Sequence, residues 1–151
     1  MGPMTAETVA ILGYGRFGAA LADLLDQLEE VHGLANGSLK IELMIELTQS
    51  IFTAGGASNM PLLLQAARGR CTGAHFGTYD YTASCSVTAD QQRMDHPVCD
   101  FAKHMMQVSY AGTGIFLSDG ATNVMPVGPH RGKDLTEAQL AENRAVVFQA
   151  W

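Results

Sequence analysis

The stretch Ile41-Glu42-Leu43-Met44-Ile45-Glu46 predicts a central strand of the fold. A second apolar run, Ala74-His75-Phe76-Gly77-Thr78-Tyr79-Asp80-Tyr81, carries an acidic residue 34 positions after Glu46. Short apolar runs bounded by turn residues indicate buried strands of a parallel sheet, and the helix-length segment between them completes a βαβ unit. The C-terminal ends of both strands then open onto one face, which is where α/β proteins build their active sites.

Glu46 and Asp80 are the two acidic residues that this arrangement brings to the same face. Carboxylate oxygens are preferred ligands of Mg²⁺, which keeps several waters that a substrate can replace. We therefore predict that Glu46 and Asp80 bind a divalent cation. An alternative stays open, because a glutamate at a strand end is often only solvated and an aspartate beside an aromatic residue often stabilises a turn.

Three segments of the sequence resemble one known family. Residues 41–46 and 77–81 are similar to the metal-binding strands of the HpcH/HpaI aldolase and citrate lyase family, whose superfamily includes the malate synthases. The run Phe116-Leu117-Ser118-Asp119-Gly120-Ala121-Thr122-Asn123-Val124-Met125-Pro126 resembles a downstream strand and loop of an uncharacterised bacterial branch. The resemblance extends over about residues 34–151.

This resemblance implies a metal-dependent (βα)8 barrel that makes or breaks a carbon–carbon bond next to a carboxylate. Glu46 and Asp80 match the positions that hold Mg²⁺ or Mn²⁺ in the family. The implied activity is that of a lyase of the aldolase or citrate lyase type. Its implied substrate is a small-molecule carboxylate, either a 2-oxo acid or an acyl-CoA-type carboxylate.

Two further residues are candidates for the chemistry. Asp119 follows the strand predicted at 114–118, which would place it to contact a metal-bound water or to transfer a proton. His75 is a candidate catalytic base, although alternation along its strand also permits a core histidine. Gly77 would let the backbone approach a bound carboxylate closely.

The length of the chain limits how much of a barrel it forms. A (βα)8 barrel needs about 250 residues, and this chain has 151. We therefore expect an α/β fold whose parallel sheet, built from βα units, forms either a partial (βα)8 barrel or an open three-layer sheet. Uncovered strand edges favour self-association, so we expect a homo-oligomer. An inactive fragment is also consistent with this length.

The N-terminal region carries a different signal, Gly13-Tyr14-Gly15-Arg16-Phe17-Gly18. This pattern follows a β-rich run and opens an apolar helix, and residues 9–25 resemble the opening of prephenate-dehydrogenase-like Rossmann proteins. Gly13, Gly15 and Gly18 are therefore candidates for binding the pyrophosphate of NAD(P). A dinucleotide-binding module is thus an alternative function, and a non-catalytic interaction protein is a third.

The chain is predicted to contain three regions. They are a Rossmann-like βα unit at 1–33, a partial aldolase-like βα region at 34–132 and a C-terminal helix at 133–151. Apolar periodicity and capping residues define the elements within them. The strands are predicted at 8–12, 39–46, 71–76 and 114–118, and the helices at 17–32, at 59–68, from Pro97 to about Gly112 and from Thr136 onward.

Capping residues and apolar spacing define the ends and the buried faces of these predicted helices more closely. Asp95 is predicted to cap the helix that begins near Pro97. Thr136 with Gln139 has the pattern of a capping box, and Thr78–Ser84 is predicted to be a loop. The buried stripe of the third helix is predicted to consist of Val98, Phe101, Ala102, Met105 and Met106.

Composition argues against several classes of protein. With 47% hydrophobic and 16% charged residues, the chain is predicted to be globular rather than disordered. A net charge of −6 argues against a nucleic-acid-binding surface. No apolar stretch has the length of a membrane span, so we expect a cytoplasmic protein without a membrane partner. Cys71, Cys85 and Cys99 lack C-x-x-C pairing and predict neither a disulfide framework nor a zinc ribbon.

Overall fold

The computed structural model describes residues 8–12, 15–122 and 125–150. The chain divides into two compact units, Met1–Gly120 and Ala121–Trp151. Among the helices of the described ranges, none combines the length and the apolar character that crossing a membrane requires.

Four parallel strands form the sheet of the first unit. They are β1 (Thr8–Leu12), β2 (Lys40–Ile45), β3 (Cys71–Phe76) and β4 (Phe116–Ser118), and they lie side by side in chain order. Each neighbouring pair is parallel. Parallel strands in sequential order with helices between them are the repeating pattern of a (βα)8 barrel. The predicted α/β class with a parallel sheet is therefore confirmed.

Helices connect these strands. In the first unit they are α1 (Gly15–His32), α2 (Thr48–Ile51), α3 (Met60–Ala66), α4 (Thr78–Ser84) and α5 (Pro97–Tyr110), with a short 3-10 turn at Ala89–Gln91. The second unit contains α6 (Glu137–Ala150). The helices predicted at 17–32 and 59–68 correspond to α1 and α3, whereas α2 has no counterpart among the predicted elements.

The two faces of the sheet differ in burial. Along β2, Ile41, Leu43 and Ile45 are buried, whereas the residues between them are only half-buried. Ala74 and Phe76 of β3 belong to the same core. Most other core side chains come from the helices, and they are Leu25, Ile51, Met60, Leu63, Tyr81, Cys99, Ala102, Met106 and Tyr110. Within the first unit, helices thus cover one face of the sheet, as in a partial barrel rather than a three-layer sheet.

The segment Thr78–Ser84, predicted to be a loop, is helix α4. Its hydroxyl-rich sequence has weak helix propensity. However, Tyr81 is buried, and its ring packs edge-on against Phe76 with centroids 5.3 Å apart. Thr82 Oγ1 also donates a hydrogen bond to the carbonyl oxygen of Thr78 at 2.8 Å. Tertiary packing of Tyr81 therefore outweighs the local preference for a loop.

The N-cap of α5 is His96 rather than the predicted Asp95. His96 Nδ1 accepts a hydrogen bond from the backbone N–H of Val98 at 3.2 Å. Asp95 instead pairs with Arg93 at 3.2 Å. A neutral imidazole nitrogen accepts a hydrogen bond as a carboxylate does, so a histidine beside Pro97 caps the helix.

The buried stripe of α5 differs in part from the prediction. Ala102 and Met106 are buried as expected, and Cys99 and Tyr110 complete the stripe. Phe101 is 48% exposed, and its ring lies 6.2 Å from that of Phe52. The helix is therefore rotated so that Phe101 lies at the edge of the core.

A buried ion pair joins α1 to the start of β3. Arg70 donates hydrogen bonds to both carboxylate oxygens of Glu29, at 2.7 and 2.8 Å, and the two side chains are only 4% and 2% exposed. Glu29 also accepts from the backbone N–H groups of Gly37 and Leu39 at 2.8 and 2.7 Å, and Arg70 pairs with Asp26 as well. We call this cluster the Glu29–Arg70 clamp. It lies at the N-terminal ends of β2 and β3, where barrel proteins place residues for stability rather than chemistry.

Acid is expected to destabilise the protein through Glu29. The hydrogen bonds from Arg70 lower the pKa of the Glu29 carboxyl far below its usual value, and the N–H groups of Leu39 and Gly37 lower it further against the opposing effect of burial. A carboxyl whose pKa is lower in the folded chain stabilises the fold above its unfolded pKa of about 4.3, and this contribution is lost as the pH falls below that value. Thermal unfolding between about pH 7 and about pH 3 should therefore show a decline in Tm below about pH 4.5.

The Glu29→Gln variant isolates this contribution. Because glutamine has no titrating proton, the variant should be less stable than the wild type at neutral pH and should lose less Tm on acidification. Glu30→Gln changes the exposed neighbouring residue and should keep the wild-type pH profile. Parallel Tm–pH curves for Glu29→Gln and the wild type would contradict this expectation.

The second unit contains a loop and α6. Thr136 and Gln139 form the predicted capping box, in which the Thr136 N–H donates to Gln139 Oε1 at 2.9 Å and the Gln139 N–H donates to Thr136 Oγ1 at 3.3 Å. The side-chain amide of Asn143 bonds the backbone N–H and C=O of His130 at 3.0 and 3.1 Å, which fixes the loop to the helix. No residue of α6 is buried in its described range.

Candidate metal and active site

Glu46 and Asp80 lie at the C-terminal ends of neighbouring strands. Glu46 directly follows β2, and Asp80 lies in the first turn of α4, just after β3. Because β2 and β3 are paired in parallel, these two strand ends lie side by side. Glu46 is half-buried and Asp80 is exposed, so the pair is accessible from solvent.

Gly77 allows Glu46 to pack against the start of α4. The Gly77 N–H donates to the carbonyl oxygen of Ile45 at 3.0 Å. A Cβ at Gly77 would lie 2.5 Å from the Cβ of Glu46 and 3.0 Å from its Oε2. The φ of Gly77 is −94°, so close approach rather than an unusual backbone angle requires glycine at this position.

The pKa of Glu46 reflects this packing. Burial raises the pKa of the Glu46 carboxyl, the charge and hydrogen bonding of Asp80 raise it further, and the nearby His75 lowers it. Burial and a neighbouring carboxyl together make ionisation of Glu46 energetically costly. A divalent cation between the two carboxyls would remove that cost.

The oxygen donors of this pair fit a hard divalent cation. Mg²⁺ is commonly bound by one or two carboxylates, with waters and substrate oxygens as its other ligands. Over the described ranges, no cluster of three or more His, Cys, Asp or Glu side chains is placed to hold a metal ion. Glu46 and Asp80 would therefore hold the ion as a pair, and their assignment as ligands stays a prediction.

His75 and Ser118 meet on the open face of the sheet. They are register partners across β3 and β4, and His75 Nδ1 lies 2.7 Å from Ser118 Oγ. His75 alternates with the buried residues Ala74 and Phe76 and is itself half-buried, so it lies outside the core beneath the helices. Its role as a base stays a prediction. Ser118 was not identified from the sequence, because a serine at the end of a short strand carries no distinctive signal.

Asp119 lies beside α5. Its carboxylate is 3.4 Å from Lys103 Nζ and accepts a hydrogen bond from the Gly120 N–H at 2.7 Å. Lys103 and Asp119 border a cavity of about 170 Å³ between β4 and α5, whose other lining residues are Phe76, Met106, Gln107, Leu117 and Ser118. We call this cavity the β4–α5 cleft. A role of Asp119 in proton transfer stays a prediction.

The glycine motif near the N-terminus, Gly13 to Gly18, lies only in part within the residues that the structure describes. β1 ends at Leu12 and α1 begins at Gly15, with Gly18 in its first turn. The strand-then-helix context expected for the motif is therefore present. Gly13 lies outside the described residues, and binding of NAD(P) by Gly13, Gly15 and Gly18 stays a prediction.

The parallel order of the strands identifies the architecture to which the fold belongs. Parallel βα units in chain order are the architecture of (βα)8 barrels, and the four described strands make up about half of such a barrel. Residues 17–151 match the family described as a domain of unknown function, DUF6986. The chain belongs to the DUF6986 family.

Solved structures with a similar fold include two barrel enzymes. A citrate lyase from Burkholderia xenovorans LB400 has a TM-score of 0.60 at 14% sequence identity, over 95% of this chain and 48% of that chain. The malate synthase of Haloferax volcanii, in a pyruvate/acetyl-CoA ternary complex, has a TM-score of 0.59 at 16% identity, over 94% of this chain and 36% of that chain. No curated protein matches the sequence.

These similarities concern the fold. The chain spans between about a third and a half of the length of the two barrel proteins. The predicted resemblance to citrate lyases and malate synthases is therefore confirmed at the level of the fold alone, and membership of the HpcH/HpaI family stays a prediction.

Proposed function

We propose that this chain forms the metal-binding part of a carbon–carbon lyase of the HpcH/HpaI aldolase and citrate lyase type. In this proposal Glu46 and Asp80 hold Mg²⁺ or Mn²⁺, and the substrate is a 2-oxo acid or an acyl-CoA-type carboxylate. The observation that carries the proposal is that the two carboxyls lie at the ends of adjacent parallel strands, where burial, and after it Asp80, raises the pKa of Glu46. The barrel fold of the citrate lyase and malate synthase structures supports it.

Each residue of the site would act according to its position. A bound divalent cation would polarise the oxygens of the substrate and stabilise the enolate that carbon–carbon cleavage leaves. Glu46 and Asp80 would supply the negative charge that holds the cation. The space beside Gly77 that the sequence suggested for a substrate carboxylate is filled by the Glu46 side chain, so Gly77 would serve to position the Glu46 carboxyl.

In this proposal, His75 would transfer the proton of the substrate's hydroxyl group. His75 Nδ1 lies 2.7 Å from Ser118 Oγ; in the tautomer in which Nδ1–H donates to this hydroxyl, Nε2 would be the ring nitrogen that acts as the general base. In an aldol cleavage, Nε2 would take the hydroxyl proton as the oxygen forms a carbonyl, and the electrons of the broken carbon–carbon bond would form the enolate. The same proton would then return to the enolate carbon.

Isothermal titration of the full chain with MgCl₂ or MnCl₂ tests the metal assignment. We expect saturable binding by the wild type and a decrease in affinity of at least about tenfold in the Glu46→Gln, Asp80→Asn double variant, because amides lack the charge that the cation requires. The control is Glu30→Gln, Asp95→Asn, which removes the same charge from two exposed positions and should bind like the wild type.

Two results would contradict the metal proposal. One is a well-folded wild type that binds neither cation, and the other is equal affinity in the wild type and the site variant. A parallel titration with NAD⁺ tests the alternative function. Binding of NAD⁺ that survives Glu46→Gln but is abolished by Gly15→Ala would favour a dinucleotide-binding module.

A further inference from the structure

We propose that Ser118 and His75 form a nucleophile and base that transfer an activated acyl group, such as that of a thioester, to water. Ser118 Oγ would be the nucleophile, and His75 Nδ1 would be its base. This activity goes beyond the proposed lyase reaction, in which Ser118 forms no covalent bond. It requires neither Glu46 nor Asp80, so it can be tested separately from the metal site.

The distance between the two side chains is the observation that carries this inference. His75 Nδ1 lies 2.7 Å from Ser118 Oγ, which is the hydrogen-bond distance expected between a nucleophile and its base. The two residues are register partners on β3 and β4, so the pairing of the strands keeps their side chains together. A serine hydroxyl is a weak nucleophile, and a base in this position activates it by taking its proton.

The pair lies at the end of the sheet where (βα)8 proteins place their reacting groups. Ser118 is the last residue of β4, and His75 is the last but one of β3. Leu117 pairs with the buried Ala74 on the helix side. Because side chains alternate along a strand, Ser118 and His75 lie on the opposite face, which is the interior face of a barrel. A substrate bound at the C-terminal ends of the strands would therefore meet the Ser118 hydroxyl.

The reaction requires one of the two neutral tautomers of His75. When Nε2 carries the ring proton, Nδ1 is unprotonated and accepts the hydrogen bond that the Ser118 hydroxyl donates. The lyase reaction proposed above uses the other tautomer, in which Nδ1–H donates to the same hydroxyl. A hydroxyl both donates and accepts hydrogen bonds, so the observed contact is compatible with either tautomer. One histidine would thus serve both reactions in separate turnovers.

Acylation would begin with attack of Ser118 Oγ on the carbonyl carbon of the thioester. As the carbon–oxygen bond forms, the hydroxyl proton passes to His75 Nδ1 and the carbonyl electrons move onto their oxygen. The carbonyl then forms again and the carbon–sulfur bond breaks. The proton on Nδ1 passes to the departing sulfur, which leaves as a thiol, and the acyl group stays on Ser118 as an ester.

Water would then release the acyl group and restore the free enzyme. A water molecule gives a proton to His75 Nδ1 as its oxygen bonds to the acyl carbon. The bond between that carbon and Ser118 Oγ breaks, and the proton on Nδ1 returns to Oγ. The products are a carboxylic acid and the original serine, so the cycle needs no oxidant or reductant.

The surroundings of the pair favour an activated acyl group. In serine hydrolases with a triad, a carboxylate fixes the histidine, and its loss lowers the rate by about 10⁴. Among the described residues, no carboxylate lies within hydrogen-bonding distance of His75. A thiol has a pKa of about 8.5, so its sulfur leaves more readily than an alcohol oxygen. Met44 pairs in register with His75, and its apolar side chain would contact the acyl group.

Labelling of the full chain with a fluorophosphonate tests the nucleophile. In this reaction the serine oxygen bonds to phosphorus and fluoride leaves. In buffer with EDTA, which removes divalent cations, we expect one label per chain on the peptide that contains Ser118, measured by tandem mass spectrometry. Ser118→Ala should lose this label. The matched control is Ser109→Ala, which removes a hydroxyl that lies 3.4 Å from the Ser58 hydroxyl, and it should be labelled like the wild type.

Hydrolysis of p-nitrophenyl acetate tests the base. The wild type should release a burst of about one p-nitrophenolate per chain, as expected for an acyl-enzyme that accumulates. His75→Gln should slow the burst by at least about 100-fold, because a general base contributes a factor of this size. Glutamine still forms a hydrogen bond to Ser118, so a merely structural histidine would be replaced without this loss. His104→Gln changes an exposed histidine of α5 and should keep the wild-type burst.

Three results would overturn the inference. One is a wild type that is folded by circular dichroism but is neither labelled at Ser118 nor shows a burst. The second is equal labelling of Ser118→Ala and the wild type, and the third is an equal burst rate in His75→Gln and the wild type.

A second pair of variants tests the same contact if Ser118→Ala does not fold. Ser118→Cys keeps a nucleophile beside His75, and the histidine should increase the fraction of reactive thiolate. Its alkylation at position 118 by iodoacetamide should be at least about tenfold faster than in the Ser118→Cys, His75→Gln double variant. Equal rates of alkylation would also overturn the inference.

Discussion

The Arg70→Met variant is expected to have a free energy of unfolding about 3–5 kcal/mol below that of the wild type. The substitution leaves the Glu29 carboxylate, which is 2% exposed, without its cation. It also removes the donor that bonds the Leu39 carbonyl at 3.0 Å. Loss of one partner from a buried pair has a large effect because the remaining charge stays out of water. Denaturant-induced unfolding followed by circular dichroism measures the change.

Two further variants test whether burial of the Glu29–Arg70 pair causes the large loss of unfolding free energy. Arg68→Met removes a neighbouring arginine that is 49% exposed and pairs with Asp23, so its loss should be within about 1 kcal/mol. The Glu29→Gln, Arg70→Met double variant should be more stable than Arg70→Met, because no unpaired charge is left inside. A loss for Arg70→Met no greater than that for Arg68→Met would refute a stabilising role of the clamp.

The Gly77→Ala variant is expected to affect both stability and metal binding. The new Cβ would lie 2.5 Å from the Cβ of Glu46, so one of the two backbones has to move. Overpacking of this kind costs about 1–3 kcal/mol. If Glu46 and Asp80 bind a cation, displacement of Glu46 should also reduce the affinity by about tenfold or more. Denaturant unfolding and calorimetric titration with Mn²⁺ measure the two effects.

Gly55→Ala provides the matched control. A Cβ at Gly55 would meet only Thr53 Oγ1, at an ordinary distance of 3.8 Å. The control should therefore be as stable as the wild type and bind the cation equally well. If Gly77→Ala behaves in the same way, the contact between Gly77 and Glu46 does not shape the site.

Much of the sheet could be predicted because burial leaves a clear pattern in the sequence. The predicted β1 and β3 have the observed bounds, and β2 differs by one residue at each end. β4 begins two residues later than predicted. Gly114, with φ of +80°, adopts a left-handed backbone conformation that does not continue a strand. Helix α4 was missed because its stability comes from burial of Tyr81, which local propensity does not report.

The site could be predicted only where topology determines it. Parallel strands bring their C-terminal ends together, and this was sufficient to place Glu46 near Asp80. The Glu29–Arg70 clamp joins residues 41 positions apart, and each residue alone resembles an ordinary surface charge. The His75–Ser118 hydrogen bond likewise depends on the register of β3 and β4, which one sequence does not specify.

The clamp and the Glu46–Asp80 pair lie at opposite ends of the same two strands. If the Glu46–Asp80 pair binds a cation, selection would act on two separate groups of residues, one that keeps the scaffold folded and one that holds the cation. A DUF6986 protein that had lost such a cation site would then be expected to retain a glutamate and an arginine at the positions of Glu29 and Arg70 while the residues at the positions of Glu46 and Asp80 diverged. The combination of these four positions would then distinguish members that have kept a cation site from members that persist as scaffolds alone.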